Sequence, residues 1–243
     1  MRRANTRRSR QQLPYRRNTT RIARRVASAP PTSLSTSNYS LQVASEPNQL
    51  MKYWNGIQHN LNSEDEKLFQ QTANASTYGY LTVAGFQTFL DQYRAHGGRE
   101  PVRVFYDLGS GLGMPNVIAA TLVPTIQKSV GVELSSQRVR EANQVLTAFR
   151  GDHPDIAARV HFINGDILSQ QWSYGDADMI WISSLCFSPE MADKTTERLN
   201  SELRKGTHVF TSKAMPRLAH TRYNKFTAAM SWTAASEVNH YII

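Results

Sequence analysis

Three glycines at alternate positions follow an apolar run in the middle of the chain. They are Gly109, Gly111 and Gly113, in the segment FYDLGSGLGMPN. Glycine at such positions lets backbone N–H groups approach a ligand closely. The G-x-G-x-G spacing differs from the G-x-G-x-x-G of dinucleotide-binding loops, because Met114 stands where the third glycine would be. A phosphate-binding P-loop is excluded, since no Gly-Lys-Ser/Thr follows the glycines.

Acidic residues end three successive apolar runs of the kind that form buried strands. Asp107 ends the first run, Glu133 ends the second in SVGVEL, and Asp166 ends the third in INGDI. At a strand tip, Asp107 could meet a cationic or hydroxyl-bearing group. Glu133 could accept hydrogen bonds from both hydroxyls of a ribose, and Asp166 could face an adenine amino group. Together with the glycines, the three acids indicate a site for an adenine nucleoside.

The elements that position these residues alternate between strand and helix. Buried strands are predicted at 102–108, 129–134, 159–166, 176–183 and 207–213, and helices at 115–123, 135–150 and 188–204. The last helix has Ser188 as its cap, with Pro189 next. The segments 229–233 and 239–243 are predicted to be antiparallel strands. This alternation implies an open α/β sheet with helices on both faces.

A small helical layer is expected before the sheet. The segment 46–60 has a helical pattern, and Ser63 and Glu66 have the spacing of a capping box. A third helix is predicted to start at Thr82 and to end at Gly97. The chain therefore divides into a tail, a helical segment with a loop that covers a ligand, and an α/β core, at 1–45, 46–100 and 101–243.

The positive charge of the chain is concentrated at its N-terminus. The formal net charge is +9, yet residues 1–26 alone hold ten arginines and no acidic residue. The segment 1–45 has too few large apolar residues to offset its ordering entropy, so we predict that it is disordered. Three roles stay open: a tail without function, an arm for nucleic-acid binding or nuclear localisation, or an organelle transit peptide.

The composition excludes several other classes of protein. The single cysteine, Cys186, rules out an intramolecular disulfide and argues against a thiolate zinc cage, and it fits a reducing compartment. The histidines have no metal-ligand spacing, so no metal site is expected. The sequence contains no run of 18 apolar residues, so no membrane helix is predicted. The N-terminus also lacks the apolar core of a signal peptide.

The glycine loop, the three acids and the alternating elements together resemble a class I S-adenosylmethionine methyltransferase. This resemblance implies an α/β protein with a Rossmann-like open sheet and a small N-terminal helical layer. It also implies S-adenosyl-L-methionine as the cofactor.

The segment after the fourth predicted strand resembles a narrower group, the Dot (disruptor of telomeric silencing) family of histone H3 lysine methyltransferases. SSLCFSPE at 183–190 is in register with the family motif Asn-Asn-Phe-Ala-Phe-Gly-Pro-Glu. TYGYLT, DLGSGLG, GVEL, NGDILSQQW and MSWT match further family motifs in the same order. The resemblance spans residues 46–243.

The resemblance implies a protein-lysine N-methyltransferase that acts on nucleosomal histone H3 as a chromatin regulator in the nucleus. Nucleosomal DNA would be held through residues 1–26, and no membrane is involved. The implied catalytic residues are Ser183, Phe187 and Tyr78, in a channel to which Trp232 or Tyr241 could also contribute. The implied cofactor-binding residues are Tyr78, Thr82, Asp107, Gly109, Ser110, Gly111, Gly113, Glu133, Asp166, Ile167 and Ser183. No general base is implied, and Cys186 has no histidine or aspartate partner in its motif that would make it a nucleophile.

Several positions depart from the family pattern, and the aromatic pair of the family's last strand corresponds here to Asn239/His240 or to His240/Tyr241. Ser183 replaces an asparagine, Tyr80 a glutamate, Met114 a glutamine and Ile167 a phenylalanine. These departures keep open a non-histone protein lysine as the target, in the cytosol or in a mitochondrion or other organelle. A nucleic-acid methyltransferase that uses the basic tail is a further alternative, although no Asn-Pro-Pro-Tyr/Phe motif is present. A cofactor-binding scaffold without turnover would need a broken glycine loop, and the loop is intact.

Overall fold

A computed structural model describes residues 34–57, 60–71 and 78–243 of the chain. The helices are α1 Leu34–Ser45, α2 Asn48–Met51, α3 Ser63–Gln71, α4 Val83–Ala95, α5 Met114–Leu122, α6 Ser136–Asp152, α7 Pro154–Ala157 and α8 Pro189–Glu202. The strands are β1 Val104–Leu108, β2 Lys128–Glu133, β3 Val160–Asn164, β4 Met179–Ile182, β5 His208–Thr211, β6 Arg222–Met230 and β7 Thr233–Ile242. The predicted alternation of strand and helix is confirmed.

The strands form one sheet in the order β3-β2-β1-β4-β5-β7-β6. Neighbouring strands from β3 to β5 are parallel, whereas β7 is antiparallel to both β5 and β6. The chain order reverses on either side of β1, because β2 lies on one side and β4 on the other. In open α/β sheets, ligands bind outside the carboxyl ends of the strands at such a reversal.

Two predicted helix starts depend on side-chain caps that the structure contains. The Thr82 hydroxyl accepts a hydrogen bond from the Gly85 N–H and starts α4. The Ser188 hydroxyl accepts one from the Met191 N–H at 3.1 Å and starts α8, with Pro189 at its first position. At the other end of α4, Gly97 adopts a φ of +76°, a left-handed conformation that stops the helix.

Helix α1 lies inside the range 1–45 that is predicted to be disordered. Its Val43 side chain is fully buried, and its Ser40 hydroxyl donates a hydrogen bond to the backbone carbonyl of Thr121. Packing against α5 gives the segment a buried face that its own composition does not suggest. The prediction of disorder is therefore wrong for 34–45, and for 1–33 it lies outside the described residues.

Three predicted element boundaries also differ from the structure. The helix predicted at 46–60 ends at Trp54, since Asn55 is extended and Gly56 is left-handed. The cap of α3 is Asn62 rather than Ser63, because the Asn62 side chain accepts the Asp65 N–H at 2.8 Å. The segment predicted as one strand at 229–233 contains the end of β6, a two-residue turn at 231–232 and the start of β7.

Apolar side chains from alternate strand positions build a core on each face of the sheet. One cluster contains Phe105, Trp181 and Phe210 with apolar residues of α4, α5 and α6. The other contains Tyr106 and Ile180 with residues of α8 and of the chain after β5. The carboxyl ends of the strands are thereby fixed from both sides. No helix in the described part of the chain is long and apolar enough to cross a membrane.

Candidate functional site

A cavity of about 440 Å³ lies at the carboxyl ends of the parallel strands. Its size is within the range of small-molecule and cofactor sites. The segments that line it are the glycine loop, the ends of β2 and β3, the loop after β4, the first turns of α6 and α8, the side chain of Phe69 and the pair Tyr78–Gly79.

The glycine loop is fixed to the end of β2 by backbone hydrogen bonds. The N–H groups of Gly109 and Ser110 donate to the Val132 carbonyl at 2.8 and 3.1 Å. Gly109 has a φ of +88°, and a Cβ added there would meet no protein atom within 4 Å. Gly109 therefore faces open space in the cavity, as expected where a backbone must come close to a ligand.

Glu133 is buried and holds the loop through both carboxylate oxygens. Oε2 accepts the Gly111 N–H at 2.8 Å, and Oε1 accepts the Ser135 N–H at 2.9 Å. The Asn164 amide donates to the Glu133 carbonyl at 3.2 Å and steadies the backbone. Each carboxylate oxygen keeps a further acceptor site, so Glu133 can still accept hydrogen bonds from ligand hydroxyls.

Two buried polar atoms beneath the loop have no hydrogen-bond partner among the described residues, Oδ1 of Asp107 and Oγ of Ser110. Burial, followed by the nearby carboxylate of Glu133, raises the pKa of Asp107 well above its usual range. Buried polar atoms are rarely left without a partner in a native protein. The Ser110 hydroxyl lies beside Gly131 and Asn116, and neither Asp107 nor Ser110 is among the residues that line the cavity.

The end of β3 forms the next part of the wall. Asp166 is exposed and caps its own turn, because its Oδ1 accepts the Leu168 N–H at 2.8 Å. Ile167 is buried, and its carbonyl accepts a hydrogen bond from the Tyr174 hydroxyl at 2.9 Å. The Trp172 indole packs on Gly165, where an added Cβ would lie 2.3 Å from the ring. Trp172 therefore has a packing role that fixes this turn.

The loop after β4 forms the opposite wall. Ser183, Cys186 and Phe187 are half-buried and line the cavity. Ser184 is fully buried, and its hydroxyl accepts the Lys213 N–H at 2.9 Å, which joins the loop to the end of β5. Ser184 thus supports the loop, and the side chains of Ser183, Cys186 and Phe187 face the cavity.

Tyr78 closes the cavity from above the glycine loop. A Cβ added at Gly111, whose φ is +55°, would lie 2.5 Å from the Tyr78 ring. Burial raises the pKa of Tyr78, so its hydroxyl stays protonated at neutral pH. The Arg138 guanidinium lies 5.5 Å from the ring centres of both Tyr78 and Phe69.

Most of the residues predicted from the sequence meet at this cavity. Those that line it are Tyr78, Gly109, Gly111, Glu133, Asp166, Ile167, Ser183 and Phe187. Asp107 and Ser110 lie buried behind the lining. Thr82 caps α4 and donates to the Ala229 carbonyl at 2.9 Å, and Gly113 starts α5 against the Phe162 ring. The structure places Thr82 and Gly113 outside the lining, and their assignment as cofactor ligands stays a prediction.

The two remaining aromatic candidates, Tyr241 and Trp232, lie at different distances from the cavity. The Tyr241 ring is buried, its hydroxyl accepts the Met215 N–H at 2.7 Å, and it is not part of the lining. Trp232 packs on Gly79 at the cavity rim. Sequence reasoning missed Phe69 and Arg138, which both line the cavity. From the sequence, Phe69 could be suspected as a site residue only because it is an apolar residue in an acidic helix. Nothing in the sequence indicated that Arg138 lies at the site.

The family model described as "Histone methylation protein DOT1" matches residues 39–243. The chain belongs to the DOT1 family. The predicted family and the predicted cofactor, S-adenosylmethionine, are thereby confirmed. No curated protein sequence matches the chain significantly.

Two solved structures resemble the chain in part. PKMT2 from Rickettsia typhi in complex with AdoHcy is 26% identical, with 45% of this chain and 20% of that chain covered and a TM-score of 0.38. TrmN from Thermus thermophilus is 16% identical, with 67% of this chain and 49% of that chain covered and a TM-score of 0.51. The chain thus spans a fifth of the first protein and about half of the second. The likeness to TrmN confirms the fold class, a class I methyltransferase sheet.

Proposed function

We propose that the protein is an S-adenosylmethionine-dependent protein-lysine N-methyltransferase that acts on a lysine of nucleosomal histone H3. One observation supports this most strongly. Gly109, Gly111 and Glu133 line the same cavity as Ser183 and Phe187, so a cofactor and an incoming amine would share one enclosed space. Membership of a family described by histone methylation supports a histone as the substrate.

The cofactor would be held by the groups that have free hydrogen-bonding capacity. Glu133 accepts from the ribose hydroxyls, and Asp166 faces the adenine amino group. Asp107 would meet the amino-acid end from below the glycine loop, and its unpartnered Oδ1 supports a polar group of the ligand there. Ser110 would contribute through its place in the loop, since its hydroxyl lies beside Gly131 and Asn116. Ser183 presents its hydroxyl or its backbone carbonyl near the same end.

Bound S-adenosylmethionine supplies a methyl group that is already activated on a sulfonium sulfur. The protein therefore needs to orient the amine and exclude water, and it needs no dedicated general base. The target lysine must be neutral, although its reference pKa is about 10.4. Phe187 and the uncharged Tyr78 would form apolar walls that favour the neutral amine by desolvation.

The Arg-rich segment 1–26 would contribute affinity for nucleosomal DNA in the nucleus. Ten arginines that neutralise phosphates release counterions, which gives strong and salt-dependent binding without sequence preference. The segment would hold the nucleosome while the lysine enters the cavity.

The proposal is tested by incubating the full chain and labelled S-adenosylmethionine with nucleosomes, free histones, total RNA or a cell lysate. We expect label on a lysine of histone H3 in the nucleosome sample. We also expect that deletion of residues 1–26 weakens nucleosome binding and flattens its salt dependence. A Gly111→Arg control should remove all label, since the arginine side chain would fill the cofactor space.

Each arm of this experiment has an outcome that contradicts part of the proposal. Label on RNA alone would replace the lysine substrate with a nucleic acid. Label on a non-histone protein of the lysate alone would keep the reaction and change the target. Equal nucleosome binding by the truncated chain at all salt concentrations would exclude the DNA-binding role of residues 1–26.

A further inference from the structure

A buried carboxylate on α3 lies at the start of α6, outside the cavity lining. Asp65 is 4% exposed. Its Oδ2 accepts hydrogen bonds from the Ser135 hydroxyl at 2.7 Å and from the Gln137 N–H at 2.9 Å. A negative charge at this position is stabilised by the unpaired N–H groups and the dipole of α6. Asp65 therefore caps a helix of the α/β core from the N-terminal helical layer.

Ser135 connects this carboxylate to the proposed ribose-binding residue. The Ser135 N–H donates to Glu133 Oε1 at 2.9 Å. The Ser135 hydroxyl also accepts the Arg138 N–H at 3.0 Å. A hydroxyl has only one hydrogen to donate, so its donation to Asp65 leaves its lone pairs for the Arg138 N–H. Asp65 thus fixes the conformation of the residue that holds one oxygen of Glu133.

The other end of α3 reaches the cavity itself. Phe69 lies one turn after Asp65, lines the cavity, and packs within 5.5 Å of the Arg138 guanidinium. Arg138 follows Ser135 in the first turn of α6. Helix α3 therefore contacts the cofactor side of the core at two points, one polar and one aromatic.

We propose that Asp65 is a positioning residue for Glu133, acting through Ser135, and that α3 is part of the cofactor site. This inference rests on the proposed function only in taking Glu133 as a ligand of the cofactor ribose. Without Asp65, the Ser135 hydroxyl loses its acceptor and the Gln137 N–H in the first turn of α6 loses its partner. The Glu133 carboxylate then loses its fixed orientation, and cofactor affinity falls.

The test compares Asp65→Ala with Glu66→Ala by calorimetric binding of S-adenosylmethionine to the full chain. Glu66 is an exposed acid on the same helix turn, so its removal matches the change in charge. We expect Asp65→Ala to bind about tenfold more weakly, a typical size for coupling through one intermediate residue. Glu66→Ala should bind like the wild type. Asp65→Asn should fall between, because a carboxamide oxygen still accepts a hydrogen bond but carries no charge.

A double-mutant cycle with Glu133→Gln separates positioning from general stabilisation. If Asp65 acts through Glu133, Asp65→Ala costs little further affinity in the Glu133→Gln background. An equal loss in both backgrounds would overturn the inference. If Asp65→Ala does not fold, Ser135→Ala takes its place in the cycle, since it removes the hydroxyl and keeps the N–H to Glu133.

The proposed cofactor site and the positioning role of Asp65 can be contradicted separately. A wild-type chain that does not bind S-adenosylmethionine would overturn the cofactor site and the inference together. A wild-type chain that binds it, with Asp65→Ala binding equally well, would overturn the inference alone.

Discussion

Glu133 joins the glycine loop to the first turn of α6 through its two carboxylate oxygens. An acid at the end of the second strand is visible in the sequence, because the apolar run SVGVEL stops at it. The bonds that its carboxylate makes are not visible there, since they join backbone groups on either side of it. The residue type was predictable, and its orientation depends on the folded structure.

Gly111 gives the sharpest prediction at the scale of single residues. Its φ of +55° strains any other residue, and an added Cβ would lie 2.5 Å from the Tyr78 ring. Gly111→Ala should therefore displace Tyr78 and weaken the binding of S-adenosylmethionine at least tenfold, about 1.4 kcal/mol. Calorimetric titration of the purified variant measures this loss.

The matched control is Gly97→Ala. Gly97 has a φ of +76°, and an added Cβ there would meet nothing within 4 Å. Both variants should lose about 1–2 kcal/mol of folding free energy through the left-handed conformation. Only Gly111→Ala should lose cofactor affinity, and equal affinity in the two variants would show that Tyr78 does not close the site.

At the scale of elements, the turn of the β6–β7 hairpin holds the segment that carries Tyr78. The Ser231 N–H donates to the Tyr80 carbonyl at 2.9 Å, and the Tyr80 N–H donates to the Ser231 hydroxyl at 3.1 Å. Leu81 forms a β-bridge with Met230. The hairpin at one edge of the sheet thereby fixes a segment that lies 151 residues earlier in the chain, next to the glycine loop.

Substitution of Trp232 tests whether the β6–β7 turn holds the segment that carries Tyr78. Its ring lies on Gly79, where an added Cβ would be 2.4 Å from the indole. Trp232→Ala should loosen the Tyr78–Gly79 segment and weaken cofactor binding several-fold, a typical size for coupling through one packed contact. Tyr223→Ala is the control, since both aromatic side chains belong to the hairpin region and are 43% exposed. Equal losses of affinity in the two variants would contradict the role of the turn.

Local sequence patterns predicted the elements that have strong local causes. Helix α4 was predictable because Thr82 caps it, its apolar residues share one face and Gly97 ends it. Helix α1 was missed because its stability comes from contact with α5, which lies about 80 residues later. Strand β6 was missed at its start because it is an edge strand with mostly polar, exposed side chains. Arg138 and Phe69 were missed for the same reason as α1, since tertiary contacts place them at the cavity.

At the scale of the whole molecule, a buried histidine pair couples the stability of the sheet to pH. His208 on β5 and His240 on β7 are fully buried, and Nδ1 of His208 lies 2.9 Å from Nε2 of His240. Burial, followed by His96, lowers the pKa of His208 to about 4. Burial, followed by His208 and His96, lowers the pKa of His240 to about 3. Both rings are therefore neutral in the folded protein near neutral pH.

The sign of the pH dependence follows from these shifts. In the unfolded chain each histidine takes up a proton near pH 6.5, whereas the folded protein resists protonation until about pH 3–4. The contribution to stability is complete above about pH 6.5 and is lost as the pH falls towards 4. Each histidine adds about 1.4 kcal/mol per pH unit to the slope of the unfolding free energy against pH, so the pair adds about twice that.

Urea unfolding between about pH 5 and 6.5 tests this, because most carboxyl groups titrate at lower pH. The wild-type free energy of unfolding should fall with decreasing pH, and His240→Gln should lose about half of the histidine contribution to the slope. Gln at this position keeps a hydrogen-bonding group beside His208 and has no titrating proton. The exposed histidine His161→Gln is the control and should keep the wild-type slope. A wild-type slope in His240→Gln would show that the buried pair does not cause the acid sensitivity of the fold.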